Sequence, residues 1–207
     1  MTTEIKTFAG LEDLETSLFS GDKEAAENLQ VPMVPYSLTA AGQGRLLRIY
    51  LTDNIKAPPY YSQALSILMQ MTKNDRAEMY LHTPGGLISS ASYISHLIEN
   101  SAAEVTGIAS GQVMSAGTMI LSACDKVEVR DDASFMFHHS RGMYAGKTLA
   151  AESRLNGINS IVTSWVERMH GLGWLTDDEL ERITNKNEDV FISGREMNRR
   201  LNGGSDA

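Results

Sequence analysis

Cysteine is almost missing from this 207-residue chain: Cys124 is the single one. One thiol closes no internal disulfide and builds no cysteine metal cluster. In LSACDKVEV it falls in an apolar segment and reads as a small buried hydrophobe. Basic residues are also in deficit, with 18 Lys plus Arg against 26 Asp plus Glu and a formal net charge of -8. That balance argues against a nucleic-acid surface, which needs clustered cations to replace counterions, and against anionic membranes. No apolar run approaches membrane-spanning length. The opening MTTEIKTFAGLEDLE has no basic start followed by an apolar stretch, so it does not read as a secretory signal. Repeats and low-complexity tracts are missing as well. These absences predict a cytoplasmic protein without a nucleic-acid or membrane partner.

What is present is enough apolar sequence, 42% of residues, for one sizeable domain, arranged as alternating strand and helix signals. Residues 1 to about 30 are polar and acidic, with Leu11, Leu14 and Leu18 at helical spacing on a thin apolar face. Prolines keep VPMVP (31–35) extended, and TAAGQG (39–44) reads as a loop. LLRIYLT (46–52) reads as a strand. Pro58 and Pro59 open a helix with Tyr61, Leu65, Leu68 and Met69 on one face. EMYLHT (78–83) is a strand ending at PGG, and a helix follows through Ala91, Ile94 and Ile98. EVTGIAS (104–110) is a strand that passes into a helix across GQVMSAGTMI. KVEVR (126–130) and SFMFHH (134–139) are strands. TLAAESRLNGINSIVTSWVERMHG (148–171) is one long helical run ended by Gly171 and Gly173, and Thr176 caps a short helix with Glu179 in the capping-box position. The pattern is α/β, one domain of repeated strand–helix units with a late helical extension.

Several clusters carry chemistry. Pro84, Gly85 and Gly86 lie between a strand and a helix, where paired glycines expose backbone N–H groups that can hold an oxyanion. The same pair is also an ordinary turn. The stretch has neither the lysine of a phosphate loop nor the spacing of a dinucleotide fingerprint. Ser115 sits at a predicted helix N-terminus, whose free N–H groups favour negative charge. Val113 stands where a G-x-S-x-G elbow has its first glycine, which argues against an α/β-hydrolase. A small serine that lets a helix pack closely fits those residues too. Of five histidines, His138 and His139 end an apolar strand. Their side chains point to opposite faces, so only one can meet Ser115, and period alone does not choose. An orienting carboxylate is offered by Asp189 in NKNEDVFIS, with Glu188, Asp177 and Asp178 as rivals. The histidines lack the spacing of a metal site, so no metal or other cofactor is expected.

Taken in order, these segments resemble the proteolytic subunit of the Clp protease, a serine peptidase family with the Clp/crotonase-type fold. YLTDNI resembles its first core strand, LHTPGG its strand into S-P-G-G, and GQVMSAG its G-Q-x-x-S-M-G serine motif. FMFHHS resembles M-I-H-Q-P, RGMYAG (141–146) the glycine-bearing strand after it, and NEDVFIS the R-D-R-F-x-S segment. VPMV echoes the N-terminal strand. The resemblance runs from about 31 to 196, leaving 1–30 as a leader or arm and 197–207 as a tail, with a handle at about 146–183. It implies Ser115 as nucleophile, His138 as base and Asp189 as orienter, with the N–H groups of Gly86 and Ala116 as oxyanion hole. Gly85, Arg141, Gly142 and Met143 then contact substrate. It also implies a homo-oligomer of stacked heptameric rings fed with polypeptide by an ATP-driven unfoldase.

The chain departs from the family pattern at Ala116, where methionine is usual, at Ser140, where proline follows the histidine motif, and at its C-terminus. The span from Val34 to Ile49 is short, which implies that the family's first helix is reduced or missing. A phage head-maturation-type protease working without an unfoldase and a catalytically silent ring subunit are the competing expectations.

Overall fold

The computed structural model describes residues 33–139 and 148–203, with side chains from 156 onward in the second stretch. The leader, the tail beyond Gly203, and Arg141, Gly142 and Met143 lie outside the described residues. Seven strands form one sheet: β1 (Tyr36–Ala41), β2 (Gly44–Leu51), β3 (Arg76–Thr83), β4 (Glu104–Met114), β5 (Lys126–Val129), β6 (Ser134–Phe137) and β7 (Val190–Ser193). The strand order is β1-β2-β3-β4-β6-β7, with β5 also pairing β4. The hairpin β1–β2 and the pair β6–β7 are antiparallel, and the strands between are parallel.

The parallel centre follows from the sequence, because β2, β3 and β4 are each followed by a helical stretch that carries the chain back for a parallel strand. A 3-10 turn at Pro58–Tyr61 leads into α1 (Ser62–Met69), and α2 (Ile88–Glu99) and α3 (Ala116–Ser122) follow β3 and β4. Alternate residues of the strands, among them Leu47, Ile49, Met79, Leu81, Val105 and Val113, are fully or almost fully buried. On the opposite face Tyr50 stacks on Tyr80 with ring centroids 5.2 Å apart, and Arg48 donates to Glu78 at 2.8 Å.

Three local expectations change, and the expected reduction of the first helix is complete. TAAGQG is the end of β1 and a tight turn at Gly42 into β2, because β1 pairs residue for residue with β2 from Tyr36↔Ile49 to Ala41↔Gly44. No helix intervenes between Val34 and Ile49. Met69 is 41% exposed, since α1 ends there and its buried face is Ala64, Leu65 and Leu68. The strand expected to stop at Ser110 runs on to Met114, because β6 pairs with its second half at Gln112↔Ser134, Val113↔Phe135 and Met114↔Met136.

Late in the chain come α4 (Thr148–Gly171), α5 (Asp177–Thr184) and α6 (Gly194–Leu201). Thr176 and Glu179 form the expected capping box of α5. The helix α6 crosses the boundary expected for a tail at 197. Met197 is fully buried, and Arg200 donates to the Trp174 carbonyl at 2.6 Å and to Glu179 at 2.7 and 3.0 Å, so the packed chain extends to Leu201. Cys124 is tucked under β4, and burial pushes its thiol up to about 12.

Candidate active site

The Pro84–Gly86 turn is held by hydrogen bonds to Thr83 and Ile55. Gly85 N–H donates to the buried Thr83 Oγ1 at 3.1 Å, Ile55 N–H to the Gly85 carbonyl at 2.8 Å, and Leu87 N–H to the Ile55 carbonyl at 2.9 Å. The last two make a parallel bridge from Ile55 to Gly86 that leaves the Gly86 N–H outside the ladder. Gly85 has φ +101° and Gly86 φ +148°, backbone that side-chain-bearing residues rarely adopt. A methyl group on Gly86 would run into the Ile55 backbone, and one on Gly85 would stand 2.8 Å from the Ser115 Cβ. The turn therefore fits closely against the serine.

Ser115 occupies the single step between β4 and α3, at φ 52° and ψ -122°. A non-glycine residue there carries about 1–3 kcal/mol of strain, offset by its surroundings. Its N–H donates to the Met136 carbonyl at 2.8 Å, which extends the β4–β6 pairing to the serine itself. Its carbonyl accepts from the Thr118 N–H at 2.9 Å and hydroxyl at 2.7 Å. The Ser115 side chain makes no capping bond to α3. It points instead to His138, with Oγ 2.6 Å from Nε2. Ala116 N–H, the next along, begins α3 and belongs to the first turn, where N–H groups have no helical acceptor.

His138 follows the last residue of β6, and Asp189 precedes the first residue of β7. The antiparallel register Phe137↔Val190 therefore sets the two opposite each other. His138 Nδ1 lies 3.9 Å from Asp189 Oδ1, with side chains 15% and 26% exposed. That separation is beyond the length of a direct Nδ1–Oδ1 hydrogen bond. The pleat resolves the choice that period left open: His138 is the histidine against Ser115. The rival acids are engaged elsewhere. Glu188 accepts from Arg182 at 2.8 Å, Asp178 lies 4.0 Å from Arg182, and Asp177 pairs with His170 at 2.8 Å.

Beside Ser115 opens a cavity of about 270 Å³ with apolar walls from Met119, Phe137, Val162, Trp165, Val166 and Met169. Four of these come from α4. In the sequence these residues recur at three and four along one helical run, and nothing there connects that run to the serine. Among the described residues, no group of three or more His, Cys, Asp or Glu could hold a metal ion.

The family model described as Clp protease matches residues 45–198. The chain belongs to the Clp protease family. The match takes in the Pro84–Gly86 turn, Ser115, His138 and Asp189. It begins after VPMV, so that echo lies outside it, and it continues into α6. The described sheet and helices are consistent with the Clp protease fold, and membership makes peptide hydrolysis the class of activity. A search of curated proteins finds no match.

Proposed function

We propose that this Clp-family chain is a serine endopeptidase in which Ser115 is the nucleophile, His138 the general base and Asp189 the group that orients the imidazole. The observation that carries the reading is the 2.6 Å approach of His138 Nε2 to Ser115 Oγ, made by a serine whose side chain makes no helix-capping bond. His138 takes the hydroxyl proton as Oγ attacks the peptide carbonyl. The Asp189 charge favours the imidazolium that forms. The N–H groups of Gly86 and Ala116 receive the tetrahedral oxyanion. Collapse expels the amine with the proton from His138, and water, activated by the same histidine, releases the acyl group from Ser115. The apolar cavity takes the side chain on the acyl side of the scissile bond, the P1 side chain.

Substrates are unfolded or short polypeptides. Gly85, Arg141, Gly142 and Met143 contact their backbone in this reading. Family members usually form oligomeric rings, and we read this chain as a homo-oligomer of stacked heptameric rings, served by an ATP-driven unfoldase, in the cytoplasm. Among the described residues no helix is long and apolar enough to cross a membrane. The test is labelling with a fluorophosphonate probe, read by intact mass, on wild type and Ser115→Ala. One adduct on wild type and none on the variant is expected. No adduct on folded, assembled wild type would overturn the reading in favour of a silent ring subunit.

A further inference from the structure

One side chain, Trp165, borders both the apolar cavity and a second cleft on the outer side of α4. Trp165, on α4, is 8% exposed and lines the cavity beside Ser115. It also borders a mixed cleft between α2 and α4, where Ile161 stands among Ser92, His96, Glu99, Ser160 and Ser164. Arg168 lies one helical turn on, with its guanidinium 5.0 Å from the centroid of the Trp165 ring. That guanidinium pairs with Glu99 at the end of α2 and donates at 3.2 Å to the Ser122 carbonyl at the end of α3. The helix α3 starts at Ser115 and supplies Met119 to the cavity wall. Arg168 therefore joins the three helices around the cavity while lying over the indole, where the ring quadrupole attracts it.

We propose that Trp165 is the specificity-determining residue, a partition that keeps the P1 cavity dry and selects apolar side chains, and that Arg168 is the positioning residue that holds it in place. The proposal rests on the Ser115 peptidase reading. With the indole present, an apolar P1 group gains by leaving water, while a polar one loses hydration without finding a partner. Without it, the cavity opens onto the hydroxyls of Ser160 and Ser164. Polar side chains then find partners and apolar ones stay wet.

The experiment measures kcat/KM on assembled, full-length protein for peptides that differ only in Leu, Phe, Gln or Lys at P1. Fluorophosphonate labelling of Ser115 is read alongside, because a small alkyl phosphonate does not need the cavity. Wild type is expected to prefer Leu over Gln by about 10–200-fold, the range a hydrophobic pocket gives. Trp165→Ala should cut that ratio at least ~10-fold with labelling retained, and Trp165→Phe should keep it within ~3-fold. Arg168→Ala should lower the ratio several-fold through KM with kcat held, and Arg168→Lys should restore most of it. Equal losses on all four peptides, or an unchanged ratio in Trp165→Ala, would overturn the proposal. Should Trp165→Ala fail to fold, Trp165→Leu must give an intermediate ratio, and a wild-type ratio there is equally fatal. Wild type that labels but shows no P1 preference sinks this inference alone. Wild type that neither labels nor cleaves sinks the Ser115 reading with it.

Discussion

Gly85→Ala removes no chemical group and still should disable the site. The added Cβ would lie 2.8 Å from the Ser115 Cβ and 2.9 Å from the Met114 carbonyl, against ordinary contacts of 3.4–4 Å. Turn and serine must therefore separate by about 0.6 Å, and φ +101° adds about 1–3 kcal/mol of backbone strain for a residue with a side chain. Strain and overlap together should cost about 2–4 kcal/mol. For a chain of this size that lowers Tm by about 5–15 °C. A retreat of that length stretches the 2.6 Å Ser115–His138 contact to the edge of hydrogen bonding and moves the Gly86 N–H relative to the oxyanion. Misplacement approaching 1 Å costs about 100-fold, so kcat/KM should fall ~10–100-fold. The comparison is Gly42→Ala. Gly42 has φ +62° but nothing within 4 Å of an added Cβ, so it should lose about 1 kcal/mol and no activity. Peptide hydrolysis and thermal melts on both variants decide the matter. Gly85→Ala within ~2-fold of wild type at a temperature where both are folded would refute the close fit of turn to serine.

Asp189→Asn should lower kcat by ~100–1,000-fold, less than for a carboxylate in direct hydrogen bond to its histidine, because Nδ1 and Oδ1 stand 3.9 Å apart; steady-state kinetics with Ser115 labelling checks this, and a loss under ~3-fold would remove Asp189 from the mechanism. Asp75 is nearly buried and accepts from Arg45 and from the Thr72 N–H, and these bonds hold its carboxyl well below its ordinary 3.8. A depressed carboxyl stabilises the fold above about pH 4 and loses that contribution as pH falls toward its folded value. Asp75→Asn should therefore be less stable than wild type in urea at pH 7, with the gap narrowing by pH 3; a gap constant with pH would refute the assignment. Cys124, its thiol pushed up to about 12, should resist iodoacetamide at pH 8 until the protein is unfolded, and modification of the native protein within minutes would contradict its burial.

The strand–helix alternation was legible because the strands bury alternate residues and the helices recur at three and four. Boundaries failed where tertiary pairing overrides local signal. Gly111 in GQVM looks like a helix approach, yet β6 adds hydrogen bonds that keep residues 112–114 extended. In TAAGQG the polar, small residues hide an edge strand, because β1 is exposed on nearly all sides and carries little hydrophobic pattern. Residues from Met197 on read as a charged tail, since their burial rests on Met197 itself and on the Arg200–Glu179 ion pair to α5. The candidate triad residues were nameable from their motifs, but their meeting depends on the register of β6 against β4 and of β7 against β6, which no single segment encodes. The role of Trp165 was hidden for a similar reason: a helical face is visible in sequence, but what it faces is not.

The order in which β7 joins the sheet has a consequence for a protease during its own synthesis. The ribosome delivers Ser115 first, then His138, and Asp189 about fifty residues later. On the proposed mechanism, the imidazole gains its orienting charge when Val190–Ser193 pairs with Ser134–Phe137. The cavity wall on α4 also comes after the serine in the chain. On that mechanism a nascent chain carries the serine without a finished site, and full cutting ability arrives only when β7 has been laid down. Latency of this kind requires no inhibitor and no cleaved segment, because chain order alone provides it.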